Sequence, residues 1–315
     1  MVESCRSQVI YSGMPVLLPQ LSRREFLKRA ALAAAAAGLA PSCYAWLLDK
    51  PRDERLFVFF SDTHVAADAA QVFNGVNMAD HMAACVNELL AWPVAPALVI
   101  ISGDLAFRMG EAGDYERFGR LIEPVRAVAP VHLMLGNHDQ RRHFWDAFPQ
   151  DAATVDAIPQ KQAAVFSSGR VNWFLLDSLN HTNITMGKLG WAQLDWLDAA
   201  LAARPGQPAL IVCHHNLDQD FDIMGLEDTR ALAGVLERRP QVKAFIYGHT
   251  HNWHVALHKS GAQLVNLPPT GYVFVPGRPS GWVRAALRDD GMEVELRCLD
   301  RKHPEHGQVK QLAWR

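Results

Sequence analysis

The sequence predicts an α/β protein, a parallel sheet built from βαβ units that finishes in antiparallel strands. Three observations predict it. Short apolar runs alternate with stretches of helical period, and polar turns close the runs. From about Val255 onward the helical period gives way to short strand-like segments between Gly and Pro. The 315 residues are 49% hydrophobic and 20% charged, enough to bury a full core and ordinary for a globular chain.

Leu56-Phe57-Val58-Phe59-Phe60 is a continuous apolar run, as a strand buried on both faces requires. Residues 77–92 form a helix with Met78, Met82, Cys85, Val86, Leu89 and Leu90 on one stripe, closed by Pro93 and Pro96. Ala97 to Ile101 is the second strand. A helix from about Asp114 to Val128 follows, with Tyr115, Phe118, Leu121, Ile122 and Val125 on one face, and then a strand from Val131 to Leu135. Residues 164–176 make a hairpin around Ser168-Gly169. Trp191 to Ala202 is a helix, Ala209 to Val212 a strand, 226–238 a helix and Val242 to Tyr247 a strand. The tail offers strands at Val255 to Leu257, Gln263 to Val265, Tyr272 to Val275, Gly281 to Leu287 and Met292 to Cys298, an antiparallel meander. No repeat or low-complexity linker divides the chain after its first 45 residues.

Those 45 residues are of another kind. Ser22-Arg23-Arg24-Glu25-Phe26-Leu27-Lys28 precedes an alanine-rich stretch, Ala30 to Ala40, then Pro41 and a small-residue site ending at Ala45. This is the order of a secretory leader, and the paired arginines resemble a twin-arginine export signal. The apolar stretch falls short of the roughly 20 residues of a membrane span. The expected division is an export signal at 1–45 and one domain at 46–315, placed in the periplasm or outside the cell. Met14 is an alternative start, and Cys43 an alternative lipidation site. The whole chain carries a net charge of −2; residues 1–45 hold five of its 31 Lys/Arg and two of its 33 Asp/Glu, so the remainder carries −5. That balance excludes a general nucleic-acid footprint. Cys85, Cys213 and Cys298 remain after the leader, with no spacing that sets a disulfide framework.

Five of the strand-like runs end in ligand-type residues: Asp62-Thr63-His64, Gly103-Asp104, Gly136-Asn137-His138-Asp139, His214-His215 and Gly248-His249-Thr250-His251. Histidines at i and i+2 after a strand, with Gly248 allowing a sharp turn, can aim at one small volume. Carboxylate, imidazole and amide oxygen together suit borderline divalent ions such as Zn, Fe, Mn, Ni or Co. Each cluster alone is also ordinary turn chemistry. Either histidine of the pair at 214 and 215 has the chemistry of a ligand.

The five clusters in this order resemble the calcineurin-like metallophosphoesterase superfamily, over about residues 56–275. The resemblance implies a four-layer αββα sandwich of two mixed β-sheets flanked by helices, holding two divalent metal ions. It implies Asp62, His64 and His251 on the first ion, Asn137, His214 and His249 on the second, and Asp104 bridging them. His214 is preferred to His215 because the family's ligand is followed two places on by Pro, the place of Asn216 here. The implied reaction is hydrolysis of a small phosphate ester by attack of a metal-bridged hydroxide, with His138 as general acid and Asp139 orienting it. This chain has Ala106-Phe107-Arg108 where relatives often carry Asp or Thr, so Arg108 is a candidate to approach the phosphate. The segment Gly187 to Leu197 resembles the branch that contains class III cyclic nucleotide phosphodiesterases and glycerophosphodiesterases, which favours a phosphodiester. His181, His254, Tyr272 and Phe274 are candidates to line the substrate pocket. A phosphomonoesterase with the same site, or a metal-binding protein without catalysis, are the alternatives. An exported enzyme that scavenges phosphate fits the leader better than an intracellular signalling role.

Overall fold

The computed structural model describes residues 50–152, 157–217 and 224–314. Residues 1–45, where the sequence leads to the expectation of an export signal, lie outside the described residues. Two six-stranded mixed sheets face each other. In the first, β1 (Arg52–Phe60) runs parallel to β4 (Ala95–Ile101), and β4 parallel to β5 (Val131–Leu133). On the other side of β1 lie β12 (Gly281–Leu287), β13 (Gly291–Cys298) and β14 (Val309–Ala313), all antiparallel. The second sheet runs β10 (His254–Leu257), β11 (Gln263–Asn266), β9 (Val242–Tyr247), β8 (Ala209–Cys213), β7 (Val171–Leu176), β6 (Ala164–Ser168). In it β7, β8, β9 and β11 are parallel.

Strand alternation decides which residues meet between the sheets. Phe57, Phe59, Leu98 and Ile100 from the first sheet share one core with Trp173, Leu210, Val212, Ala244 and Ile246 from the second. The opposite faces take the helices. Phe174, Leu176, Ile211 and Phe245 pack with Leu194, Leu197 and Leu201 of α4 (Trp191–Ala202) and Leu232, Val235 and Leu236 of α5 (Thr229–Arg238). On the far face of the first sheet, α1 (Met78–Ala91) and α2 (Ala112–Val128) contact each other, and α1 lies against β12. This is the helix, sheet, sheet, helix sandwich that the resemblance implies. Asn77 caps α1 by accepting from the Ala79 and Asp80 amides, which fixes the start of that helix. No helix among the described residues is long and apolar enough to cross a membrane.

Three features depart from the sequence expectation. The tail is not one meander: β10 and β11 join the second sheet, and β12, β13 and β14 form the antiparallel half of the first. Tyr272 to Val275 is no strand, because the chain there is held as a loop by Thr270 N donating to Ser61 O and Gly271 N to Asp62 O. A short helix α3 (Arg141–Ala147) and a hairpin of β2 (Val72–Phe73) and β3 (Val76–Asn77) fill stretches that carry too few apolar residues to show a period.

Candidate metal centre

The carboxyl ends of β1, β4, β5, β8 and β9 meet on one edge of the sandwich, where open α/β sheets place their sites. The chain there adopts backbone that side-chain-bearing residues rarely take. Asp62, His64, Asp104, His249 and His251 all have φ between 47° and 67°, the sparsely populated left-handed region. Backbone bonds hold the turns in register: Asp62 N donates to Gly103 O at 3.1 Å and His64 N to Asp104 O at 2.9 Å. Gly248 is obligatory where β9 ends, because a Cβ there would stand 1.9 Å from Ser61 Oγ and 2.4 Å from Asp62 Oδ2.

The side chains converge. His64 Nε2 lies 3.0 Å from His251 Nε2 and 3.7 Å from Asp104 Oδ2, and His251 Nε2 lies 3.4 Å from Asp62 Oδ1. His214 Nε2 is 3.4 Å from Asp104 Oδ2 and 4.0 Å from Asp62 Oδ1. Asp104 thus belongs both to a set with His64 and His138 and to a set with Asp62 and His214, each compact enough for one ion. Three histidines direct one nitrogen at a backbone carbonyl and leave the other for the site: His214 Nδ1 donates to Ser102 O, His251 Nδ1 to Tyr272 O and His249 Nε2 to Met224 O. Such outer bonds fix ring orientation in metal sites.

Two buried atoms argue that cations belong here. Asn137 Oδ1 and His214 Nε2 have no hydrogen-bond partner, an arrangement that is costly in a native fold without a ligand. The titration behaviour agrees. Burial lowers His64 to about 3, His249 to about 3 and His251 to about 4, so their lone pairs are free. Burial pushes Asp62 up. Burial also opposes ionisation of Asp104, yet His214, His138 and His64 hold it well below the carboxylate range. His214 is raised to about 9, against its burial, by Asp104. A buried group of carboxylates and mostly neutral imidazoles is a donor set for divalent ions.

His138 is half-buried at the edge of this group, its ring centroid 5.2 Å from that of His64. Its backbone N–H donates to Asp104 Oδ1 at 2.8 Å, and its Nδ1 donates to Arg108 O at 2.8 Å. That second bond corrects one sequence expectation: Asp139 does not orient His138. The Asp139 carboxylate is buried and accepts instead from Leu105 N, Ala106 N, Gly136 N and Tyr115 Oη. It ties the Asp104 turn to the Asn137 turn, and burial followed by the Asp104 charge raises it to about 7. Arg108 contributes its carbonyl, with φ of 59°; its guanidinium lies 5.1 Å from the Phe73 ring and 5.2 Å from the Phe107 ring. A main-chain carbonyl has no signature in the sequence.

The structure places the remaining candidates unevenly. Tyr272 stands against the site, its ring 4.9 Å from His64 and 4.6 Å from His251. His181 is exposed on a loop whose Asn183 N–H reaches Asn137 O, and His254 is exposed at the start of β10. His215 is buried beside His214 and His249, with Nδ1 on Ser178 Oγ at 2.7 Å. His214, not His215, faces the two carboxylates.

Residues 56–253 match the sequence profile of the calcineurin-like phosphoesterases. The 3′,5′-cyclic adenosine monophosphate phosphodiesterase CpdA of Escherichia coli is 30% identical over 247 residues, covering 73% of this chain and 84% of that protein. The phosphodiesterase of the same name from Haemophilus influenzae is 29% identical over 245 residues, 73% of this chain and 85% of that one. Among solved structures, a dimetal phosphatase from Danio rerio superposes with a TM-score of 0.62 at 18% identity, covering 82% of this chain and 99% of that chain; it is alike in fold. The chain belongs to the calcineurin-like phosphoesterase family. It is a metal-dependent phosphoric ester hydrolase.

Proposed function

We propose that this protein is an exported phosphodiesterase that holds two divalent ions and cleaves small diesters, 3′,5′-cyclic nucleotides among them. Asp62, His64 and His251 would hold one ion and Asn137, His214 and His249 the other, with Asp104 shared. When bound, the ions supply Lewis-acid charge for the phosphoryl group and an acidified water. The residues supply the rest. His138, with Nδ1 engaged by Arg108 O, keeps Nε2 for the leaving oxygen and delivers its proton there. Asp104 Oδ1 accepts from His138 N, which fixes the acid relative to the shared carboxylate. The curated relatives named as cyclic nucleotide phosphodiesterases support the diester reading.

The observation that carries the proposal is the sharing of buried Asp104 between two donor sets with His138 alongside. The test is hydrolysis of matched diester and monoester substrates by metal-stripped protein reloaded with Mn, Fe, Zn or Ni, beside Asp104→Ala and His138→Ala. Metal-dependent diester turnover lost in both variants is expected. Monoester preference would make the enzyme a phosphatase, and two bound ions without turnover would make it a binding protein.

Residues 1–45 are proposed as a twin-arginine-type signal and 46–315 as the enzyme domain, working in the periplasm or beyond after passage through that export machinery. Fractionation of cells making the tagged chain, with and without Arg23→Lys and Arg24→Lys, tests this. Equal retention in the cytoplasm would end it.

A further inference from the structure

One side of the metal centre is walled by aromatic rings that the hydrolytic chemistry does not use. Phe107, Phe73, Tyr272 and Phe274 follow one another edge to face, with centroids 5.7, 4.8 and 5.9 Å apart. Phe274 ends the row by stacking on His251, 4.0 Å away and tilted by 16°. One face of Phe274 is therefore covered, yet the residue is 50% exposed, so its other face is open. Phe73 comes from the β2–β3 hairpin, turned by Asn74 and Gly75 at φ of 49° and 80°. Arg108 lies over Phe73 and Phe107 and remains exposed.

A hydrolase of small polar esters has no use for an open phenyl ring beside its metal ligands, because exposing it to water is unfavourable. An open ring face one residue removed from a phosphoryl site suits a flat, weakly hydrated group joined to the phosphate by a short linker, and a nucleobase is such a group. The row flanks the His64 and His251 side of the centre, and Arg108 also holds His138, so the wall adjoins the proposed leaving oxygen. In a 3′,5′-cyclic nucleotide that oxygen and the base belong to one nucleoside. Water adds to phosphorus, the P–O3′ bond breaks, the proton goes to O3′, and the product is a nucleoside 5′-monophosphate.

We infer that the open face of Phe274, backed by His251 and flanked by Tyr272, is the nucleobase subsite that makes the enzyme select nucleotide diesters over glycerophosphodiesters. The inference rests on the phosphodiesterase reading and adds a specificity determinant to it. The quantity to measure is the ratio of kcat/KM for cyclic AMP to that for glycerophosphoethanolamine in the metal-loaded protein. Removing one stacking ring in Phe274→Ala should lower this ratio about tenfold, mainly through KM, and Phe274→Trp should keep it. A fall in both activities with the ratio kept would mean that Phe274 only supports His251, and would overturn the inference. So would a wild-type enzyme that cleaves the glycerol diester and not the cyclic nucleotide, which leaves the phosphodiesterase reading standing. If no diester is cleaved, that reading fails, and ligand-observed NMR still decides the subsite. Saturation should pass to the base protons of 5′-AMP from the wild type and not from Phe274→Ala; equal transfer from both would reject the subsite.

Discussion

Gly136→Ala is the sharpest test of how the two turns carry the shared carboxylate. Gly136 directly precedes Asn137, and a Cβ on it would stand 2.2 Å from Asp104 Oδ1 and 2.5 Å from Asp104 N. Neither atom is the end of a long side chain. Asp104 Oδ1 already accepts from His138 N, and the Asp104 backbone is fixed by His64 N donating to its carbonyl. To reach an ordinary contact the carboxylate must retreat by about 1 Å. Displacement of that size in a positioned group costs about 100-fold in rate, and overpacking of this kind costs about 1–3 kcal/mol in stability. The assay pairs kcat on a chromogenic diester with metal content by atomic spectroscopy and a thermal melt. Gly206→Ala, at a position with nothing within 4 Å of the new carbon, is the control. A Gly136→Ala protein with full activity and undiminished metal would show that Asp104 is not held where the reasoning requires it.

Other outcomes follow from the same geometry. His138→Ala should lower kcat about 100- to 10,000-fold on an alkyl diester and much less on a p-nitrophenyl diester, whose leaving oxygen needs no proton; equal losses on both would remove the general-acid role. In metal-stripped protein the buried histidines set the pH dependence of stability. His64 and His249 at about 3 and His251 at about 4 stay below the ordinary 6.5, so the unfolded chain takes up protons first and their stabilisation is lost as pH falls from 6.5 to about 4 for His251 and to about 3 for His64 and His249. His214, raised to about 9, acts in the opposite sense, stabilising below 6.5 and losing that effect as pH rises through 9. The melting midpoint of stripped protein should therefore peak near the 6.5 at which all four titrate when unfolded; a midpoint climbing steadily to alkaline pH would contradict it. Trp173, fully buried with its ring 4.9 Å from Phe57 across the sheet interface, should cost about 3–5 kcal/mol when replaced by Ala, read from urea unfolding.

Much of this architecture is legible in the sequence because burial writes it there. The parallel strands are buried on both faces where they approach the site, so Leu56–Phe60 of β1, all of β4 and β8 and Ala244–Tyr247 of β9 appear as unbroken apolar runs, and the ligand-type residues follow them. What escapes is written in other terms. In β14 only Leu312 is buried, so an edge strand shows no alternation. Tyr272 to Val275 has the composition of a strand, but Gly271 N is engaged by Asp62 O, a contact across 209 positions that no local pattern carries. The partner of His138 is a carbonyl, and every residue has one. The adjacent Asp139 is the more obvious choice by chemistry, yet its four hydrogen bonds come from Leu105 N, Ala106 N, Gly136 N and Tyr115 Oη.

The backbone of the site explains why the sandwich must be large for so small a reaction centre. Of the eight non-glycine residues with positive φ among the described residues, five are Asp62, His64, Asp104, His249 and His251, and a sixth is Arg108. A glycine would adopt that conformation at little cost, but a glycine brings no donor atom. Each such residue stores about 1–3 kcal/mol of strain that only the surrounding structure can hold. The interdigitated core between the sheets holds the strand ends, and the bonds between turns leave no room to relax. Desolvation of two carboxylates and several imidazoles at one point opposes this arrangement. The fold keeps them together, and the proposed two-ion occupancy is the charge that makes the arrangement favourable.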